Sequence, residues 1–259
     1  MECSINNGIK RKIGYNKMQE LYLNYLKNGI LHYTNEDKFI HVFNRFPLQR
    51  DITFKYCLDH INNITGNKVI LELGTSRSFT DGRFPGCNSD DITYWEPNHP
   101  EKWDWSAGCF TTFFSKLTDE NTHITTVDIV KTHIDRCKYM TNDCKNKINY
   151  VINSSENVLN SISPKSVDLL YLDTGDMTPI EPTAELHLRE AKIIVERNLL
   201  TDNGLILIDD VRNCTPKLNG ETSDYGKAKY SIPYFIENGY EIVIDEYQVI
   251  LQKKQHKNT

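Results

Sequence analysis

The sequence predicts a doubly wound α/β domain with a mostly parallel, seven-stranded sheet and helices on both faces. From residue 67 onward, short apolar runs typical of strands buried on both faces alternate with segments of helical periodicity. The predicted strands are Lys68–Leu73, Ile124–Asp128, Ile148–Ile152, Val167–Leu172 and Gly204–Ile208, with Tyr240–Glu246 and Tyr247–Gln252 as closing strands. Such a series predicts an open, right-handed sheet that binds ligands at the carboxyl ends of its strands.

Helical segments are predicted between these strands. They are Phe110–Leu117, His133–Met140, Glu156–Ile162, Thr183–Leu200 and Lys229–Glu237. The longest has the clearest pattern, because Pro182 lies near its first turn and one face carries an apolar stripe. We therefore expect this helix to cover one face of the sheet.

The chain divides into a domain with small additions at both ends. Residues 1–66 are predicted to be an N-terminal helical extension, which either covers an edge of the sheet or mediates a homodimer, and Gly66 is predicted to end its last helix. Residues 67–253 form the domain, 79–107 an inserted aromatic-rich loop, and 254–259 a polar tail. The loop holds all three tryptophans, which either stack on a sugar or a base, or simply pack the loop onto the domain.

The composition limits the class of protein. The 259 residues contain no apolar run of membrane-spanning length, and their start lacks the basic and apolar regions of a signal peptide. The seven cysteines include no Cys-x-x-Cys pair, which favours reduced thiols in the cytoplasm. The net charge of −5, with dispersed basic residues, disfavours nucleic acid as a partner.

Acids and a glycine follow the first two predicted strands. Glu72, Gly74, Thr75 and Ser76 lie at the end of the first strand, where glycine lets the backbone approach a ligand and an acid can bind an amine or a hydroxyl. Asp128 ends the second strand, where a carboxylate can accept hydrogen bonds from both ribose hydroxyls. Taken singly, these residues fit a tight turn and a helix cap equally well.

Three further acids follow the fourth and fifth strands. Asp173 ends the fourth strand, and Asp209 and Asp210 end the fifth. Neighbouring strands lie about 4.8 Å apart, so the three carboxylates should converge and repel unless a cation neutralises them. Oxygen ligands alone favour Mg²⁺ or Ca²⁺ over zinc, and of these we expect a Mg²⁺ (or Mn²⁺) site. The alternative is that Asp209 or Asp210 caps the next element while Asp173 only contacts a cofactor.

The order of Glu72-x-Gly74, Asp128 and the sequence ending in Asp173 resembles the class I S-adenosylmethionine-dependent methyltransferases over about residues 66–252. The resemblance implies a Rossmann-like fold and S-adenosyl-L-methionine as the cofactor. It also implies that Gly74, Thr75 and Ser76 line the methionine end of the cofactor.

The same resemblance implies roles for four other residues. Glu72 would position the amino group of the cofactor or the loop, Asp128 would hold the ribose, and Ser155 would lie near the adenine. The family's glycine loop leads directly into a helix, whereas here about thirty residues intervene before Gly108, which resembles the displaced end of that loop.

The residues leading to Asp173, and to Asp209 and Asp210, also resemble the metal-dependent, macrocin-type sugar O-methyltransferases. That resemblance implies that the aspartates hold Mg²⁺, that an acid just after the first of them acts as the base, and that the acceptor is a small molecule or a glycan. Gly175 takes the position of the family base, so Asp176 and His187 are the candidates, with His187 beside the apolar stripe of its helix.

Three functions follow from these observations. The leading one is metal-assisted methylation of a sugar hydroxyl, with Asp173 in the catalytic group. The second is methylation of a nucleic-acid or mRNA-cap 2′-hydroxyl by a Lys-Asp-Lys-Glu set, for which the long helix offers no convincing second lysine. The third is a catalytically degenerate binding protein, which the intact acids argue against.

Overall fold

The computed structural model describes residues 50–75, 110–141, 144–176, 179–211 and 225–255. Its helices are α1 (Asp51–Asn63), α2 (Phe110–Leu117), α3 (Lys131–Met140), α4 (Ser155–Ser161), α5 (Ile180–Glu196) and α6 (Ser231–Glu237), with a 3₁₀ turn at Gly226–Ala228. Its strands are β1 (Lys68–Leu73), β2 (Thr122–Asp128), β3 (Lys147–Ile152), β4 (Val167–Leu172), β5 (Leu200–Ile208), β6 (Tyr240–Asp245) and β7 (Val249–Lys253). Among these residues no helix is both long and apolar enough to cross a bilayer.

The seven strands form one sheet in the order β3-β2-β1-β4-β5-β7-β6. Strands β1 to β5 are mutually parallel, and β7 runs antiparallel to both of its neighbours. The predicted mostly parallel, seven-stranded sheet is therefore confirmed. The register pairs Leu73 with both Val127 and Leu172, and Leu172 with Ile208. Residues that follow β1, β2, β4 and β5 consequently meet at one edge of the sheet.

One face of the sheet packs against α4, α5 and α6. Alternate strand residues such as Leu170 and Leu172 point to this face, where they meet Val158, Ala191 and Phe235 in one buried apolar cluster. Alternation of this kind is expected of strands whose two faces are both covered. The stripe predicted for the long helix is thus in the core.

The opposite face is covered by an aromatic cluster from α1, α2 and β4. Phe110 stacks on Tyr171 with ring centroids 4.3 Å apart, and Phe54 of α1 makes edge contacts with both rings. Because α1 is packed in this core, we place it with the domain rather than with the extension predicted over residues 1–66. Residues 1–49, with the predicted dimer contact, lie outside the described residues, as do the 79–107 loop and the last four residues of the tail.

Two predicted boundaries were wrong for local reasons. Helix α5 ends at Glu196 and not at Leu200, because Asn198 adopts a left-handed conformation with φ of 49° and Leu200 already begins β5. Helix α1 ends at Asn63, so Gly66 lies in the turn before β1 instead of ending the helix. The first error arose because apolar residues continue from the helix into the strand, and periodicity alone does not mark where a helix stops. The second arose because the helix ends before the glycine that commonly follows a helix.

We expect Phe54→Ala to lower the free energy of unfolding by about 3–5 kcal/mol, because it removes a buried ring from the aromatic cluster. Tyr56→Ala on the same helix is the matched control, since Tyr56 is exposed and its loss should cost much less. Urea unfolding monitored by circular dichroism measures both changes. Equal losses in the two variants would mean that α1 does not belong to the core.

Candidate functional site

The turn after β1 touches the turn after β4. Gly74 has φ of 86°, and a Cβ atom at this position would lie 2.3 Å from the carbonyl oxygen of Asp173. Its backbone N–H donates to Val127, and the N–H of Asp173 donates to Leu73, each at 2.9 Å. Only glycine fits this position, both for its conformation and for the space available. The predicted cofactor glycine and the predicted catalytic acid are therefore neighbours.

Asp128 lies at the end of β2, facing the turn after β1. Its Oδ2 accepts a hydrogen bond from the N–H of Thr75 at 3.2 Å, and its Oδ1 accepts one from the N–H of Val130 at 2.8 Å. Nδ1 of His133 lies 3.2 Å from Oδ2. A carboxylate has about four acceptor positions, so these contacts leave capacity for the predicted ribose hydroxyls.

Ile129, directly after Asp128, is 71% exposed. An adenine ring bound next to a ribose on Asp128 would cover it. Ile129 was not among the cofactor residues predicted from the sequence, although it directly follows Asp128 at the end of β2.

Glu72 is completely buried between α2 and the sheet. Its Oε2 accepts hydrogen bonds from the hydroxyls of Thr111, at 2.6 Å, and of Thr126. Burial raises the pKa of Glu72 to about 7, against the opposing effect of these hydrogen bonds. The contacts favour the loop-positioning alternative for Glu72, because they join the start of α2 to β1 and β2.

Ser155 does not offer its hydroxyl to the cleft as predicted. It is buried at the start of α4, where its side chain hydrogen-bonds to Glu190 of α5. The neighbouring Ser154 caps α4 by accepting from the N–H of Asn157 at 3.3 Å. Ser76 and Gly108, the other predicted cofactor residues, lie outside the described residues.

The three acids after β4 and β5 converge as the sequence predicted. One carboxylate oxygen from each of Asp173, Asp209 and Asp210 lies within 4.8 Å of the others. The register that aligns Leu172 with Ile208 brings them together, because it ends the two strands at the same level.

Two buried cations, both missed by sequence reasoning, neutralise this cluster. Nε and Nη2 of Arg50 donate to the two oxygens of Asp209 at 2.8 and 2.6 Å, and Nη2 also reaches Asp210 at 3.3 Å. Nζ of Lys227 lies 2.8 Å from Oδ1 of Asp173 and 3.1 Å from Oδ2 of Asp210. Arg50 precedes α1 and Lys227 follows β5, in segments without a motif, so only the fold brings them to the acids.

Polar side chains from the turn between β6 and β7 complete the cluster. Nε2 of Gln248 donates to Oδ1 of Asp209 at 2.9 Å, and the hydroxyl of Tyr247 donates to Asp210. The guanidinium carbon of Arg50 lies 4.9 Å from the ring centre of Tyr247, a cation–π distance.

The charges of the cluster differ in how they are stabilised. Burial opposes ionisation of Asp209, but Arg50 outweighs it and lowers the pKa of Asp209 to about 2. Burial, reinforced by the two other carboxylates, outweighs Lys227 and raises the pKa of Asp173 well above its ordinary value. Burial alone would lower the pKa of Lys227, yet the carboxylates raise it, so Lys227 stays charged.

These contacts do not fit the Mg²⁺ (or Mn²⁺) ion that the resemblance implies. Mg²⁺ binds oxygen ligands at about 2.1 Å, so an ion on Oδ1 of Asp173 and Oδ2 of Asp210 would collide with the ammonium of Lys227. Arg50 already holds both oxygens of Asp209. A metal could bind to these oxygens of Asp173 and Asp210 only if Lys227 left its place.

The structure separates the two predicted bases. His187 is completely buried, its Nε2 lies 3.0 Å from the carbonyl oxygen of Thr174, and burial together with Lys227 lowers its pKa to about 3. An acceptor cannot reach this imidazole, so His187 has a structural role instead of the predicted catalytic one. Asp176 is exposed in the loop before α5, and its carbonyl accepts from the hydroxyl of Thr183 at 2.8 Å.

A second buried acid fixes the residue that follows Asp173. The hydroxyl of Thr174 lies 3.0 and 2.9 Å from the two oxygens of Glu190, while the carbonyl of Thr174 is bonded to His187 one turn earlier on α5. Burial raises the pKa of Glu190 to about 7. Helix α5 therefore holds Thr174 from both its backbone and its side chain.

As the pH rises from 4.5 to about 7, the ionisation of Glu190 should lower the free energy of unfolding of the unsubstituted protein. We expect Glu190→Gln to make this loss smaller. The unfolded chain releases the Glu190 proton near pH 4.5 and the folded chain only near pH 7, so this residue's contribution falls as the pH rises through that interval. Glutamine stays neutral, and the decline should be smaller by about 1–3 kcal/mol. Urea unfolding at several pH values measures it, with the exposed Glu185→Gln on α5 as the control. A pH dependence identical to that of the unsubstituted chain would contradict the prediction.

No protein-family model and no curated protein matches the sequence. Solved structures do match its fold, at low sequence identity. A protein from Corynebacterium glutamicum matches with a TM-score of 0.53 and 10% identity over 92% of this chain and 100% of that chain. A cofactor-bound protein from MTB matches with a TM-score of 0.50 and 12% identity over 79% of this chain and 81% of that chain.

Fibrillarin from Aeropyrum pernix, solved with natively bound S-adenosyl-L-methionine, matches more loosely, with a TM-score of 0.43 and 16% identity over 76% of this chain and 74% of that chain. The strand order and the closer likenesses agree with the fold expected from the sequence. The chain has a mostly parallel, Rossmann-like α/β fold.

Proposed function

We propose that the protein is an S-adenosyl-L-methionine-dependent O-methyltransferase that acts on a hydroxyl of a small molecule or a glycan. The observation that carries this proposal is the contact between the turns after β1 and β4, where the backbone of Gly74 lies against the backbone of Asp173. It makes the cofactor edge and the acid cluster parts of one cleft. A methyl donor on the first and an acceptor on the second would be adjacent.

The cofactor side is supported by three features in a row along this edge. Gly74 lets the turn after β1 lie directly against the turn after β4, Asp128 keeps acceptor capacity for a ribose, and Ile129 offers an exposed apolar surface to a base. When bound, S-adenosyl-L-methionine supplies an electrophilic methyl group on a sulfonium.

The acceptor side is supported by the difference in side-chain exposure between the acids of the cluster and its lysine. The side chains of Asp173 and Asp210 are 13% and 23% exposed, whereas that of Lys227 is 1% exposed. The two acids are therefore more exposed than the cation that bridges them. Such a surface accepts hydrogen bonds from the hydroxyls of a sugar and repels a phosphate backbone, in keeping with the net charge of −5.

Asp173 is the group that we propose as the base. Burial and its acidic neighbours raise its pKa, which makes its carboxylate a better proton acceptor than an ordinary aspartate. Its carboxylate would orient the acceptor hydroxyl and take its proton as the oxygen attacks. Lys227 would keep the cluster close to neutral before that proton arrives.

One observation favours the second candidate, methylation of a nucleic-acid 2′-hydroxyl. Lys227 beside Asp173 forms a Lys–Asp pair of the kind that this chemistry requires, and sequence reasoning had not found it. The acidic charge balance argues the other way. Assay of methyl transfer to sugars, nucleosides and RNA oligonucleotides separates the two candidates.

We expect Asp128→Ala to weaken binding of S-adenosylhomocysteine more than tenfold, because a carboxylate hydrogen-bonded to a ribose contributes about 1.5–3 kcal/mol. Isothermal titration calorimetry measures the affinity. The control is Asp202→Asn, which changes an acid that is 80% exposed at the other end of the sheet. An affinity unchanged by Asp128→Ala would refute the placement of the cofactor.

We expect Asp173→Asn to lower the rate of methyl transfer at least about 100-fold, the usual contribution of a positioned base. The affinity for S-adenosylhomocysteine should change little, since the substitution leaves the backbone contact with Gly74 in place. Single-turnover transfer from labelled S-adenosyl-L-methionine gives the rate. Retention of the full rate would exclude Asp173 as the base.

A further inference from the structure

The acid cluster contains a cation, the ammonium of Lys227. It lies where the metal-dependent methyltransferases that the sequence resembles would hold a metal ion. We infer that the ammonium of Lys227 occupies the cation position formed by Asp173, Asp209 and Asp210, and so keeps divalent metals out. As a consequence, methyl transfer would proceed without a metal ion. The exclusion of metal is independent of any activity, whereas the consequence rests on the proposed function.

The position of the ammonium supports this inference. Nζ of Lys227 lies 2.8 Å from Asp173 and 3.1 Å from Asp210, so it bridges the acids that end β4 and β5. A metal bound to these two oxygens would overlap with the ammonium. With Arg50 included, three carboxylates face two cations, and the formal charge of the cluster is about −1 instead of −3. Little electrostatic attraction then remains for a divalent ion.

The segment that carries Lys227 is held in place on both sides. A Cβ atom on the preceding Gly226 would lie 2.6 Å from the carbonyl oxygen of Asp210, so this backbone is pressed against the end of β5. On the other side, Lys229 and Tyr230 both bond to Glu181 in the first turn of α5. These contacts fix the backbone on both sides of Lys227, and its side chain is buried.

Both carboxylate oxygens of Asp209 are likewise occupied by hydrogen bonds to other side chains of the protein. Its two oxygens accept from Arg50, and Oδ1 also accepts from Gln248 at 2.9 Å. Separating Arg50 from Asp209 would break a buried, bidentate ion pair, which is costly. Of the three acids, only Asp173 and Asp210 could therefore be made available to a metal, and Lys227 is the residue that blocks both.

The test is titration of the full chain with Mn²⁺, followed by calorimetry and by the electron paramagnetic resonance signal of free Mn²⁺. The unsubstituted protein should bind no Mn²⁺ at concentrations up to about 1 mM, where weak protein sites fill. Lys227→Ala should bind one Mn²⁺ per chain, because it frees two carboxylates and raises the formal negative charge. Lys227→Arg keeps a cation, and Lys165→Ala removes an exposed one elsewhere on the domain, so neither should bind.

Two outcomes would overturn the inference. One is binding of Mn²⁺ by the unsubstituted protein that Asp210→Asn weakens at least tenfold, and this result requires no change at Lys227. The other is a Lys227→Ala protein that keeps its thermal transition and still binds no Mn²⁺. If Lys227→Ala does not fold, Lys227→Met retains the bulk of the side chain and serves in its place.

Activity tests the consequence separately. Methyl transfer at the full rate in excess chelator supports metal independence, and transfer that chelator stops and Mn²⁺ restores overturns it. Absence of transfer under every condition would count against the proposed function alone, because Mn²⁺ binding is measured without turnover.

Discussion

Three carboxylates brought to one edge of a buried sheet must be neutralised, and this constraint organises the rest of the site. Asp173, Asp209 and Asp210 converge because β4 and β5 end at the same level. Arg50 and Lys227 supply the opposite charge from two distant parts of the chain. Breaking a buried pair of this kind typically costs 3–5 kcal/mol. The start of α1 and the segment after β5 are therefore held to the sheet by the cluster itself.

The same edge connects the two halves of the proposed reaction. Gly74 lies against the backbone of Asp173, and Asp128 binds the N–H of Thr75 in the intervening turn. Movement of one turn would disturb the other, since both are held by backbone contacts. The donor and acceptor sites are thus positioned by the sheet, which is the most rigid part of the domain.

Two buried glutamates, Glu72 and Glu190, form hydrogen bonds to residues close to this edge. Burial raises the pKa of both Glu72 and Glu190 to about 7, so each can remain protonated inside the domain near neutral pH. Glu72 joins α2 to the first two strands, and Glu190 joins α5 to Thr174 and to the start of α4. These contacts stabilise the loops after β1 and β4, and they explain why acids occur in positions that are otherwise apolar.

The sequence by itself determined the sheet, because strands buried on both faces need continuous apolar runs, and it located Gly74, Asp128, Asp173, Asp209 and Asp210 at the strand ends. It did not identify Arg50 or Lys227, whose partners lie 159 and 54 residues away. It kept His187 as an alternative base and Ser155 as an adenine neighbour, whereas both side chains are buried and bonded within the domain. Periodicity records which face of an element is apolar, whereas the partner of a charge depends on which distant segments the fold brings together. That the three acids meet two cations in place of a metal was decided only by the tertiary structure, since the same carboxylates at the same strand ends are compatible with either.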